Sequence, residues 1–134
     1  MCEMNMEKGF TLVELVVVLA ILGIITAISI PMYTGYKQKA LRSSVKAALL
    51  ENTQGVERYF TLNSTYENAT LRTTSIQSGA YVLQFANANI DDSNADTTTF
   101  TIEAVPVGSQ VSDKCGTLSV NNIGLKLPST PGCW

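Results

Sequence analysis

The chain contains no histidine. That removes the side chain most often used as a general base and most often used as a metal ligand. No Ser/His or Cys/His arrangement, phosphate-binding glycine loop or metal-ligand cluster stands in the sequence either. An enzyme is not expected, and neither is a cofactor or a metal. Charge is also sparse. Nine Lys and Arg against eleven Asp and Glu leave a formal net charge of −2 over 134 residues. From Asn63 onward there are three cations (Arg72, Lys114, Lys126) and six anions (Glu67, Asp91, Asp92, Asp96, Glu103, Asp113). Affinity for DNA rests on clustered Lys or Arg, so this half is by itself a poor surface for binding DNA. Cysteine is limited to Cys2, Cys115 and Cys133. If a short N-terminal piece is removed, two remain and two can pair, which implies an oxidising compartment outside the cytoplasm. A free, buried thiol pair is the alternative.

What the chain does have is apolar residues, 46% of the total, unevenly placed. Apart from Glu14, nothing in Phe10–Ile30 carries a charge. Those 21 residues are enough to cross a hydrocarbon core as a helix. Residues 1–9 read as a leader, 10–35 as a transmembrane helix and 36–134 as a globular head. An ordinary secretory signal would place a small-residue cleavage site after the apolar run. Ile28-Ser29-Ile30-Pro31 is a poor one, so the run is expected to stay. Cys2 precedes the run, which argues against a lipid-modified cysteine. Lys37, Lys39, Arg42 and Lys46 lie behind the span and Lys8 alone before it. Counting Lys and Arg would keep the head in the cytoplasm. The cysteine pair argues for the opposite side, and that side is preferred here.

A carboxylate inside an apolar helix marks function by default. The bland reading of Glu14 is that it reaches the headgroups from near the helix end. The sharper reading needs a cation. A cut after Gly9 would give Phe10 a free amine, one helical turn from Glu14 and at the contact point of a neighbouring copy. A buried charge without a partner is strongly unfavourable, so such a pair would set axial register between subunits. Further on, Pro31 removes a helix hydrogen bond and Gly23 is a weak point, so a kink is expected near Pro31. Leu41, Val45, Ala48, Leu49, Val56, Tyr59 and Phe60 then recur at helical spacing. Phe10 to about Leu62 makes one helix roughly 80 Å long, with Asn63-Ser64 as its stop.

Gly9-Phe10-Thr11-Leu12-Val13-Glu14-Leu15, followed by the apolar run and Pro31, resembles the N-terminal signature of type IV pilins and the related pseudopilins. The resemblance implies cleavage between Gly9 and Phe10 by a prepilin peptidase and N-methylation of Phe10. It implies that Glu14 is the assembly carboxylate, paired with the N-terminal amine of an adjacent subunit. It implies a subunit held in the inner membrane of a Gram-negative bacterium, head in the periplasm. An assembly platform would then polymerise it with other pilin subunits into an extracellular filament serving adhesion, twitching motility or DNA uptake. The implied fold is α+β: a long N-terminal helix on an antiparallel sheet of about four strands. The leader, with Glu3 and Glu7, is more acidic than most of its kind.

Four strand-like runs follow the helix: Tyr81–Phe85, Thr98–Val105, Thr117–Val120 and Leu125–Leu127. Residues 63–78 read as a polar loop anchored by Tyr66, Leu71 and Ile76. The expected core is Tyr81, Leu83, Phe85, Phe100, Ile102, Leu118 and Val120 against Leu49, Val56 and Phe60. Cys115 and Cys133 would close a 19-residue loop around the last hairpin. Cys115-Gly116-Thr117-Leu118 with Gly132-Cys133-Trp134 resembles the end of PilE-type minor pilins. Ala47-Ala48-Leu49-Leu50-Glu51-Asn52 with Glu57-Arg58-Tyr59-Phe60 is similar to them and also to ComP-type DNA-receptor pilins.

A minor pilin is therefore the leading expectation. A ComP-type DNA receptor would contact DNA through Lys37, Lys39, Arg42, Lys46, Arg72 and Lys114, although a solvated flank explains residues 37–46 as well. A type II secretion pseudopilin is the third reading, and the terminal cysteine pair leans against it. Asp91-Asp92-Ser93-Asn94-Ala95-Asp96 clusters hard oxygen ligands but lacks the Glu and Gly of an EF-hand, so a plain hairpin loop is preferred to a calcium site. The sequons at Asn63 and Asn68 are of a kind frequent by chance.

Overall fold

The structure is a computed structural model, and it describes residues 9–76, 79–86 and 98–134. One helix dominates it: α1 runs from Leu12 to Asn63, 52 residues. The helical assignment is unbroken through Gly23 and Pro31. The chain divides into two compact units, Met1–Lys37 and Gln38–Trp134.

In the first unit every residue of α1 up to Lys37 is exposed, including thirteen Leu, Val and Ile side chains between Leu12 and Ile30. This segment is long and apolar enough to cross a membrane. Its hydroxyls are returned to its own backbone: Thr26 donates to the Leu22 and Gly23 carbonyls and Ser29 to the Ile25 carbonyl. Polar atoms satisfied inside the helix are what an apolar surrounding demands.

In the second unit the C-terminal part of α1 buries Leu41, Val45, Ala48, Leu49 and Val56, the stripe expected from the spacing. Asn63-Ser64 is the stop. Ser64 takes φ of 57°, and its N–H donates to the Phe60 carbonyl at 2.7 Å. A left-handed residue closing the last turn in this way ends a helix.

The sheet has five strands rather than about four: β1 Ser75–Ile76, β2 Tyr81–Phe85, β3 Thr101–Pro106, β4 Leu118–Asn121 and β5 Lys126–Leu127. They form an antiparallel meander in chain order. The missed strand, β1, lies in the stretch read as a loop. Its two residues are too few to show alternation, and only pairing with Tyr81 and Val82 makes them a strand. Pairing also moves the start of the third strand from Thr98 to Thr101, where the ladder with Asn121 begins. Register sets Leu83 opposite Ala104, Phe85 opposite Ile102 and Ile102 opposite Val120. One face is therefore apolar and joins the α1 stripe in a single core. The expected core residues are all buried except Phe60, which is half-buried at its edge. Phe60 stacks on Tyr66 with ring centres 4.4 Å apart, and Tyr66 meets Phe100 edge-on at 4.9 Å.

Candidate functional site

Three places carry more than packing. The first is the start of α1. Thr11 and Glu14 form a reciprocal cap: the Thr11 N–H and hydroxyl each donate to Glu14 Oε2 at 2.9 Å, and the Glu14 N–H donates to Thr11 Oγ1 at 3.3 Å. This is the S/T-x-x-E capping box. The spacing of Thr11 and Glu14 carries this signal in the sequence alone, a role for Thr11 that the motif reading leaves out. Gly9 and Phe10 precede the helix as exposed, non-helical chain. Glu14 is thus held by its own chain, one turn from the bond between Gly9 and Phe10.

The second place is the bond between helix and C-terminal loop. Cys115 and Cys133 are disulfide-bonded, with Cα atoms 5.6 Å apart. Beside them Arg42 forms a two-pronged ion pair with Asp113: Nε donates to Oδ2 at 2.9 Å and the second nitrogen to Oδ1. Arg42 also donates to the Gly132 carbonyl. The Tyr81 hydroxyl donates to Asp113 at 3.1 Å, and the Gln110 amide donates to Tyr81 at 3.0 Å. Gln110 sits on the 3-10 turn Gly108–Ser112, fully buried. Burial pushes the Asp113 carboxyl up, but hydrogen bonds from Arg42 and Tyr81, with the Arg42 charge, more than reverse this and hold it below its ordinary value. The hydrogen bond to Asp113 raises Arg42 despite its burial. Burial raises Tyr81.

This corrects the reading of Arg42 as a solvated cation or DNA contact. Its side chain is 8% exposed and committed to Asp113. The charge pattern could not separate Arg42 from its neighbours, because its partner lies 71 residues away. The other named cations fare differently. Lys37, Lys39, Arg72 and Lys114 are exposed. Lys46 is half-buried; burial first, then the charges of Arg42 and Lys126, push its pKa down. Lys126, which the sequence reading did not place among the contacts, sits 5.4 Å from the centre of the Trp134 ring.

The third place is the loop after α1. Asn52, buried at 1% exposure, donates to the Thr73 carbonyl at 2.7 Å and accepts the N–H groups of Arg72 and Thr73 at 2.9 and 3.1 Å. The loop is therefore clamped to the helix by one side chain, which the sequence reading did not single out. The sequence 91–96 lies outside the described residues. Among the described residues no three His, Cys, Asp or Glu side chains gather as a metal would require.

Residues 31–119 match the family model described as type IV minor pilin ComP, DNA uptake sequence receptor, and residues 4–30 match the prokaryotic N-terminal methylation motif. A fimbrial protein of Pseudomonas aeruginosa is 30% identical over an alignment of 148 residues covering 98% of this chain and 92% of its own. A type IV major alpha-pilin of Moraxella bovis is 43% identical over 54 residues, 40% of this chain and 34% of that protein. A solved type IV pilin from Shewanella oneidensis superposes with a TM-score of 0.55 at 26% identity, covering 72% of this chain and 97% of that one. The non-core minor pilin PilV of Neisseria meningitidis, at 19% identity and a TM-score of 0.52, shares the fold over 68% of this chain and 85% of its own. With a methylation motif at its front, a pilin model across most of the remainder and a relative matched end to end, the chain belongs to the type IV pilin family.

Proposed function

We propose that this pilin is a minor filament subunit, made as a prepilin, cut between Gly9 and Phe10 and N-methylated on Phe10. The observation that carries this reading is the uniformly exposed apolar helix from Leu12 to Ile30, with one carboxylate at its start. An apolar surface of that extent needs a cover. Lipid covers it before assembly, with the head in the periplasm. The helices of other subunits cover it in the pilus. The cut creates the amine that pairs with Glu14 of an adjacent subunit. Glu14 must then exchange its bonds to Thr11 for that amine, so capping and assembly compete for one carboxylate. Glu14→Ala is expected to insert and be cleaved normally but to enter filaments poorly, read by immunoblot of sheared pili against membranes. Normal piliation by this variant would sink the register argument.

A second reading, a DNA-receptor pilin, is favoured by the ComP model match over residues 31–119. The cations left to it are Lys37, Lys39, Arg72 and Lys114, with Lys46 and Lys126 as a further pair. A salt-dependent gel shift with the whole protein in detergent decides it. Absence of any shift at low salt removes this reading. The pseudopilin reading keeps only fold-level support, and calcium-dependent melting of the protein would revive it.

A further inference from the structure

We propose that the hollow between the last turns of α1 and the loop behind it binds an acidic sugar, a single ring carrying a carboxylate or a phosphate. The hollow is about 290 Å³ and is lined by Gly55, Arg58, Tyr59, Leu62, Thr70 and Arg72. Arg58 and Arg72 are both exposed, and among the described residues neither is in an ion pair. Two guanidinium groups lining one hollow repel each other and present planar forks that match a carboxylate or a phosphate. Tyr59 and Leu62 supply an apolar wall for a ring face, and the Thr70 hydroxyl a hydrogen-bonding edge.

The hollow is built rather than incidental. Asn52, buried, holds the Arg72 and Thr73 backbone by three hydrogen bonds and so fixes where the Arg72 side chain leaves the loop. That side chain crosses α1 over Gly55, where an added Cβ would lie 3.3 Å from Arg72 Cδ. Glycine inside a helix is the least favourable choice after proline, and here its missing side chain is the space Arg72 occupies. The volume sits at the small end of ligand pockets and suits one ring, not a length of polymer. The proposal does not rest on the assembly reading, and it competes with the DNA reading for Arg72.

The test uses the full chain in detergent micelles, following the arginine Nε–Hε signals by NMR. Glucose 6-phosphate and glucuronate are the probes; glucose, inorganic phosphate and a short DNA duplex are the comparisons. Both probes are expected to shift Arg58 and Arg72 saturably, with dissociation constants of about 1 mM. Glucose and inorganic phosphate are expected to bind at least about tenfold more weakly, since each lacks one half of the contact. Arg58→Gln and Arg72→Gln should each weaken binding about tenfold, with Lys114→Gln unchanged. Gly55→Ala should displace Arg72 and weaken binding severalfold without lowering the melting temperature, a split that a purely structural glycine would not give. No saturable shift up to about 20 mM overturns the proposal. So does inorganic phosphate binding as tightly as glucose 6-phosphate, or duplex DNA engaging the same two arginines more tightly than either sugar.

Discussion

Arg42 and Asp113 form the one ion pair among the described residues, and both are nearly out of solvent. Breaking a buried pair leaves a charge with no partner, which typically costs about 3–5 kcal/mol. Asp113→Ala should therefore destabilise the second unit by roughly that amount, measured by thermal or denaturant melting in detergent. The same pair makes stability depend on pH. The folded Asp113 pKa lies below its unfolded value of about 3.9. Its contribution is therefore complete above about pH 5 and is lost as pH falls through the folded value. The melting temperature should hold level from neutral pH to about pH 5 and then fall, and Asp113→Asn should flatten the fall. An equally steep acid limb in Asp113→Asn would assign the effect to other carboxylates. Nothing near Arg42 in the sequence distinguishes it from Lys39 or Lys46. The capping pair Thr11 and Glu14, by contrast, was legible, because both partners lie within one turn.

At the scale of elements, the Arg42–Asp113 pair ties α1 to the chain ahead of β4, and Leu41 and Val45 share one core with the sheet. The disulfide closes the loop that carries β4 and β5. In the chain-entropy model a loop of this length contributes about 3 kcal/mol. Replacing both cysteines by Ser should lower stability by about that amount, with the melting midpoint shifting down and β2 and β3 unaffected in register. In α1 itself, Gly55 lies in a helix interior, and Gly→Ala at such a site gains up to about 1 kcal/mol of helix propensity. Arg72 is exposed and free to yield a few tenths of an ångström, so Gly55→Ala is expected to stabilise, read as a rise in melting midpoint. The long helix was legible from its apolar run and its later three- and four-residue spacing. So was the strand Tyr81–Phe85, whose strict alternation becomes strict burial alternation. The two-residue strand β1 was not, because its existence rests on a neighbour and not on its own pattern.

At the scale of the whole molecule, the two units answer to different surroundings. Among the described residues, the seventeen buried core residues all lie between Leu41 and Cys133, inside the second unit. A fragment from Gln38 to Trp134 should consequently fold and melt cooperatively, with a midpoint within a few degrees of the full chain in detergent. A fragment that is molten, without near-ultraviolet dichroism, would mean that the first 37 residues contribute to folding. On the filament reading proposed above, the same fragment should not enter filaments, since the apolar surface of residues 10–37 is missing from it. On that reading polymerisation and folding are separable, the one driven by the apolar helix and the other by the core of the second unit.

The sequence by itself determined the membrane-length run, the misfit carboxylate at its start, the stop at Asn63-Ser64 and the faces of the main strands. Each is a local pattern whose partners lie within a turn or a pleat. Tertiary structure alone decided that Arg42 is a buried strut, that Asn52 clamps the loop, and that Arg58 and Arg72 share a hollow over Gly55. Those contacts join residues 14 to 71 positions apart, and a side chain's charge says nothing about its use until the chain closes and chooses what it faces.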